Sequence, residues 1–276
     1  MHLDAATLFI LMIAVTSVVA LLLLWAYLQN RRVKALAWWG VAYIHGALGS
    51  ALIPPRGQIP DWLSIDLANA LLIVAYGLMW MGARIFDERK IYASFLLGAA
   101  VWIAACQYPP FYASLPARAS LSALLIGGYS LLTAWDFWRA PERLPSRSAV
   151  VSCVGLHGLI SLVRIPAMLF ISAPEGIRPL GGFWFAFIAF EAIVFAIAAA
   201  FLVLAMAKER VELHYKAASR IDPLTVHSTD ARSGPRPTAS LPERARKEAR
   251  SPCSCSTSTI SRKSMTLTDT SSGMMS

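Results

Sequence analysis

Six acidic, basic or imidazole side chains fall inside stretches of this chain too apolar to solvate them, and five of them are its candidates for chemistry. Arg164 and Glu191 lie in successive apolar runs, 148–171 and 180–206, at similar predicted depth. A guanidinium and a carboxylate taken out of water offset each other's desolvation, so the spacing predicts an ion pair between neighbouring helices. Two roles are open to such a pair. It can fix the packing of the two helices, or it can be a switchable contact that couples a ligand or the membrane voltage to movement of the last helix. His45 and His157 are the only histidines within apolar runs. Imidazole is a common haem ligand, but the two fall at different depths, so hydrogen-bonded helix contacts are expected instead of a bis-histidine site. Asp66 lies one turn inside its run and is expected to be wet. Asp136 ends another run and is expected at the interface.

Apolar helices must position these groups. Of 276 residues, 57% are hydrophobic and only 15% charged, and the apolar residues come in long runs. A helix that crosses a bilayer needs about 20 mostly apolar residues. Runs at 7–28, 35–53, 62–82, 91–107, 119–138, 148–171 and 180–206 predict an all-α membrane protein, a seven-transmembrane-helix bundle with short connections. The fourth run is the shortest. Connections after odd runs carry Arg31, Arg32 and Lys34, then Arg84, Arg89 and Lys90, then Arg139, Arg143 and Arg147, then Lys208, Arg210 and Lys216. Those after even runs carry only Arg56, Arg118 and Arg178. Cations accumulate on the cytosolic side, which predicts an outside N-terminus and a cytosolic C-terminus. Trp25, Trp38, Trp39, Trp62, Trp80, Trp135, Trp138 and Trp184 fall near run ends and are expected to be interfacial anchors. The first run opens Met1-His2-Leu3-Asp4, without a basic leader, and its core is too long for a cleaved signal peptide, so it reads as a retained helix.

Other chemistries find little footing. The net charge of +9 could mean a nucleic-acid partner, but the cations sit in short connections beside apolar runs, where topology accounts for them. The partner implied is the lipid bilayer, with no nucleic acid. Cys253 and Cys255 form a C-x-C with no further Cys pair or His beside it, and Cys106 and Cys153 lie in or near runs, so neither a zinc site nor a disulfide framework is expected. Retinal would need a mid-run lysine, and no run holds one. Outer connections such as Pro54-Pro55-Arg56-Gly57 and Ala173-Pro174-Glu175-Gly176 are brief, so a signal would be read within the bundle, at its outer mouth or from the membrane itself. Pro166 predicts a kink in the sixth helix. Gly127-Gly128 and Gly181-Gly182 offer close-approach points or bends, with small-residue packing the expected role.

Beyond the last run, residues 207–221 continue without Gly or Pro, with charged residues alternating with Val211, Leu213 and Tyr215, and read as a cytosolic helical stalk. Asp222-Pro223-Leu224-Thr225 follows, and Pro223 ends the helix. This order, apolar bundle then stalk then D-P-L-T, resembles the entrance to a GGDEF domain, the catalytic module of diguanylate cyclases, whose opening typically reads D-x-L-T-G-x-x-N-R-R-x-F. The visible match stops at Thr225. A reading-frame slip restores it. Moved back by one base, Val226 to Ser233 can encode G-A-L-N-R-R-A-F, and Ser256 to Ser276 can encode F-D-L-D-H-F-T-E-I-N-D-T-Y-G-H-x-x-G-D-D-V. Cys253, Ser254 and Cys255 can encode three apolar residues ahead of the latter, as a buried strand should have. Both stretches need the same shift, which predicts loss of one base near the Thr225/Val226 junction.

The organisation expected is therefore a membrane sensor domain at 1–206, a signalling helix at 207–221, the start of a GGDEF domain at 222–225, and a shifted, disordered tail at 226–276 rich in Ser, Thr, Pro and Arg. The resemblance implies that an intact parent would condense two GTP into cyclic di-GMP, using Mg2+ or Mn2+ held by acidic residues of its catalytic domain. It also implies a bacterial cytoplasmic (inner) membrane, and homodimers paired through the 207–221 stalk. As written, the chain has no G-G-[DE]-E-F and no carboxylate pair or glycine-rich loop in its place. No cyclase activity, catalytic residue, metal or cofactor is expected of it. A small-molecule transporter or channel using Arg164, Glu191 and Asp66 along a polar path is the rival reading. A membrane scaffold with a functional basic tail is a third.

Overall fold

The computed structural model describes residues 5–142, 144–170 and 183–219, and every regular element among them is helical. In order these are α1 (Ala5–Gln29), α2 (Ala35–Leu52), α3 (Ala68–Phe86), α4 (Leu97–Cys106), α5 (Pro109–Ala113), α6 (Leu115–Trp138), α7 (Pro145–Phe170) and α8 (Phe183–Ser219). A π-helical segment, Trp62–Leu67, leads into α3, and a 3-10 turn, Ala93–Leu96, leads into α4. Five stretches are long and apolar enough to cross a membrane: Thr7–Gln29, Trp62–Phe86, Leu115–Trp138, Pro145–Pro166 and Ala186–Lys216. Large apolar side chains such as Leu21, Phe201 and Val163 point outward from these helices. Apolar surface on that scale suits contact with lipid, which gives the chain the character of a multi-pass membrane protein.

The helices form a closed ring. α1 packs on α2 and α8, α2 on α3, α3 on α6, α6 on α7, and α7 on α8. Each of these neighbours with a short connection is antiparallel. Gly40 of α2 faces Leu24 of α1, for example, while Gly49 faces Ala68 and Leu72. The 3-10 turn and α4 lie against α3 and α6, and carry the chain from Lys90, whose carbonyl accepts from Arg84 Nε, back toward Asp66, whose carbonyl accepts from Trp102 Nε1. The ring therefore has two ends. One gathers residues 29–35, 84–92, 138–142, 144–147 and 207–210. The other gathers the start of α1, the 53–61 connection, residues 106–118 and the start of α8.

Local chemistry explains the boundaries that differ from the sequence reading. The run at 91–107 is helical only from Ala93, so its regular part is shorter than that of its neighbours. The 107–118 connection contains α5, opened by Pro109 and Pro110 at positions that need no N–H. Ser114 then caps α6, accepting from Ala117 N–H at 3.3 Å, so α6 starts at Leu115, ahead of 119. α7 is helical through Pro166. α8 is a single helix of 37 residues, about 55 Å at 1.5 Å per residue. At Gly127 the α6 backbone approaches the Gly158 carbonyl of α7 so closely that an added Cβ would stand 3.0 Å from it, whereas Gly128 faces open space.

Two tryptophans read as interfacial anchors are core residues. Trp39 is 1% exposed and its Nε1–H donates to the Met79 carbonyl at 3.2 Å. Trp80 is buried and donates to Asp136 Oδ2 at 2.7 Å. An indole can leave the interface when its one donor finds an internal acceptor. Trp25, Trp62, Trp135 and Trp138 are exposed. Arg143, Arg178, the 173–176 connection, Gly181-Gly182, the Trp184 side chain, the Asp222-Pro223-Leu224-Thr225 junction and the 226–276 tail lie outside what the structure describes.

Candidate functional site

Inside the ring, Glu191 of α8 faces α7 and meets two of its side chains. Arg164 Nη2 donates to Glu191 Oε2 in a close ion pair. His157 Nδ1 lies 2.7 Å from Glu191 Oε1. These α7 residues are seven apart, two helical turns, so one carboxylate bridges both turns with its two oxygens. With Glu191 ionised, His157 Nδ1–H donates to it, and His157 Nε2 is left to accept from the Tyr76 hydroxyl of α3 at 2.9 Å. The His157 ring also stacks on Phe195 with centroids 3.8 Å apart, one turn along α8 from Glu191. Three helices are thereby tied at one depth. Tyr43 of α2 adds a fourth by donating to the Ala196 carbonyl at 2.7 Å.

The other predicted groups take no part in this cluster. His45 lies on the exposed side of α2, with Nδ1 2.9 Å from the carbonyl of Val41 in the same helix. It makes no contact with His157. Asp66 was expected to be wet, but its Oδ1 is buried with no hydrogen-bond partner among the described residues, and Trp102 of α4 donates to its backbone carbonyl. Asp136 was expected at the interface and is 7% exposed. It accepts from Trp80 and pairs with Arg84 at 3.0 Å and Arg89 at 2.6 Å.

Asp136 belongs to a second polar centre at the cation-rich end. Arg147, 6% exposed, holds Asp87 with both Nη atoms, at 3.0 and 2.9 Å. Arg210 of α8 reaches the same carboxylate at 3.3 Å, pairs with Glu142, and lies over the Phe86 ring. Glu209 accepts from the Ser146 backbone N–H at 3.1 Å and from its hydroxyl. Cations expected only to mark topology are thus bound to carboxylates from other connections. The sequence signal was present: Asp87, Asp136 and Glu142 lie in or beside the cation-bearing connections, so each carboxylate had several candidate partners.

Next to the Glu191 cluster is a cavity of about 790 Å³. Tyr76, His157 and Arg164 line one side, and Arg56, Asp61 and Arg118 line the mouth-side wall, with Asn69, Ser122 and Ser161 between. Arg56 donates to the Ser64 carbonyl at 3.0 Å. Burial, and then the neighbouring Arg118 guanidinium, hold Arg56 below the usual guanidinium range, with Asp61 and Tyr112 acting the other way. Arg118 lies over the Tyr112 ring. Chemically the site offers guanidinium forks, a neutral or protonated imidazole and hydroxyls around an apolar chamber. That set can bind an anion or exchange a proton. Among the described residues, no three His, Cys, Asp or Glu side chains gather to hold a metal ion. Compared with protein-family models, with curated proteins and with solved structures, the chain matches none of them.

Proposed function

We propose that this chain is the membrane input module of a diguanylate-cyclase-type signalling protein, without the catalytic domain in the frame as written. The observation that carries the reading is the course of α8. One unbroken helix contributes Glu191 and Phe195 to the cavity-side cluster and Glu209 and Arg210 to the cation-rich end, then runs on to Ser219. The motif Asp222-Pro223-Leu224-Thr225 follows three residues later. A change at the cavity therefore has a continuous rigid element along which to reach an attached domain, and the shifted frame names that domain. The catalytic residues, GTP and the divalent cation belong to the intact parent and not to this polypeptide.

In this reading the chain crosses the membrane seven times, with α2 and the short α4 counted as crossings. The antiparallel ring supports that count, because each of these two carries the chain from one end of the ring to the other. The cation-rich end faces the cytosol and the cavity end faces outward. The stalk pairs between two protomers of a homodimer. A carrier for a small molecule is the second reading, favoured by the cavity within the ring. Uptake into vesicles that falls with Glu191→Gln would select it.

The test is a restored frame. Membranes containing the chain as written, supplied with GTP and Mg2+, are expected to make no cyclic di-GMP. A gene with one base added at the Thr225/Val226 junction is expected to yield a longer chain that does. Product from the chain as written, or no cyclase frame downstream in the intact gene, would overturn the family reading.

A further inference from the structure

Three arginines, Arg56, Arg118 and Arg164, line the cavity. Arg118 Nε and Nη1, Arg56 Nε and Arg164 Nε are all buried and have no hydrogen-bond partner among the described residues. Leaving such groups unpaired is costly, more so for charged donors. Arg164 spends one Nη on Glu191, but Arg56 and Arg118 have no ion-pair partner among the described residues. The negative charge of Glu191 is matched by Arg164 and hydrogen-bonded by His157. Asp61 is the remaining acidic residue in the lining, and its charge acts on Arg56. The unpaired N–H donors at the Arg56 and Arg118 wall call for acceptor oxygens, and the fork of N–H groups on a guanidinium suits two oxygens of one anionic head group.

The rest of the chamber has the opposite character. Phe9, Met12, Leu72, Met79, Ile126 and Phe195 line it. A small inorganic anion would satisfy the arginines and leave this surface uncovered. A purely apolar ligand would cover the surface and leave the buried N–H groups unpaired. The Oγ of Ser161, fully buried and without a partner among the described residues, adds one more donor beside the apolar walls. The volume of about 790 Å³ falls in the range of small-molecule sites, roughly 300–1,000 Å³. We propose that the cavity binds an amphiphile with an anionic head group, carboxylate or phosphate, held by Arg118 and Arg56, and with its apolar body directed toward Phe195 and Met79. The head group can belong to a free amphiphile or to an anionic lipid. This inference concerns binding alone and stands whether or not the signalling reading does.

The test uses the full chain in phosphatidylcholine nanodiscs, with radiolabelled decanoate as the probe and empty discs as the blank. Saturable binding above the blank is expected, and decanol is expected to compete at least about tenfold more weakly than unlabelled decanoate. Arg118→Gln is expected to weaken decanoate binding by about tenfold or more, while Arg139→Gln, at the other end of the ring, leaves it unchanged. The decanoate–decanol contrast needs no variant, so it decides the matter even if Arg118→Gln fails to fold. Phosphatidylglycerol in the disc separates the sources: displacement of decanoate assigns the site to a lipid head group, and retention assigns it to a free amphiphile. Absence of saturable binding, equal competition by decanol, or unchanged affinity in a folded Arg118→Gln protein would overturn the proposal.

Discussion

Glu191 accepts from two side chains of one helix, and removing its charge strands both. A Glu191→Gln side chain leaves the Arg164 guanidinium without its counter-charge and offers an N–H where His157 Nδ1–H now finds an acceptor. Breaking a buried pair by removing one member costs roughly 3–5 kcal/mol. Tyr76→Phe removes only the hydroxyl that His157 Nε2 contacts, and hydrogen bonds between membrane helices average about 0.6 kcal/mol. Thermal unfolding in one detergent is expected to show a much larger loss of midpoint for Glu191→Gln than for Tyr76→Phe. Equal losses would mean that the cluster is wet and its charges screened. Opposite charges in successive apolar runs were enough to set Arg164 opposite Glu191 on paper. The place of His157 was not legible, because depth counted along one helix does not show that a carboxylate can span two turns of its neighbour. Tyr76 gave no signal either, since a tyrosine in an apolar run reads as core or interface until its hydroxyl has a partner.

Elements in this ring approach as closely as their smallest residues allow. Gly77 of α3 lies against the backbone of the 3-10 turn before α4, where an added Cβ would stand 2.5 Å from the Phe95 carbonyl oxygen. That neighbour is backbone and cannot rotate away. Gly77→Ala is therefore expected to push α4 off α3 and open the packing around Trp102 and Cys106, both buried. Maleimide labelling of Cys106, read site by site by mass spectrometry, is expected to accelerate in Gly77→Ala. Gly46→Ala, whose Cβ would meet nothing within 4 Å, is expected to leave it unchanged. An unaltered rate in both would show that α4 docks loosely. The helices themselves were legible from the length of their apolar runs, because burial in lipid demands internally satisfied backbone over the whole thickness. What the sequence did not disclose was where α4 begins and which tryptophans are internal. Trp39 and Trp80 lie near run ends, as anchors do, and only the acceptors offered by Met79 and Asp136 draw them inward. Propensity and hydropathy carry no record of a partner from another helix.

The whole molecule separates its chemistry by end. One end is bound by ion pairs among connections, with Asp87 shared between Arg147 of α7 and Arg210 of α8. The other end holds a chamber whose arginines carry buried donors with no partner among the described residues. The formal net charge of +9 does not show by itself which cations are free: Arg84, Arg89, Arg147 and Arg210 at the cation-rich end are each paired with a carboxylate. Sequence asymmetry separated the two ends, but not the cavity, whose walls come from seven helices and have no local pattern. The account rests on these ends facing opposite sides of one membrane, joined by α8. Single cysteines on a background with the native thiols replaced test that claim. Gln58→Cys sits on an exposed connection at the cavity end, and Lys208→Cys replaces a side chain 79% exposed at the other. An impermeant maleimide is expected to label Gln58→Cys in intact cells and Lys208→Cys only after the membrane is opened. Labelling of both from the same side would mean an even number of crossings between them, and would contradict a receiver outside joined to an output inside.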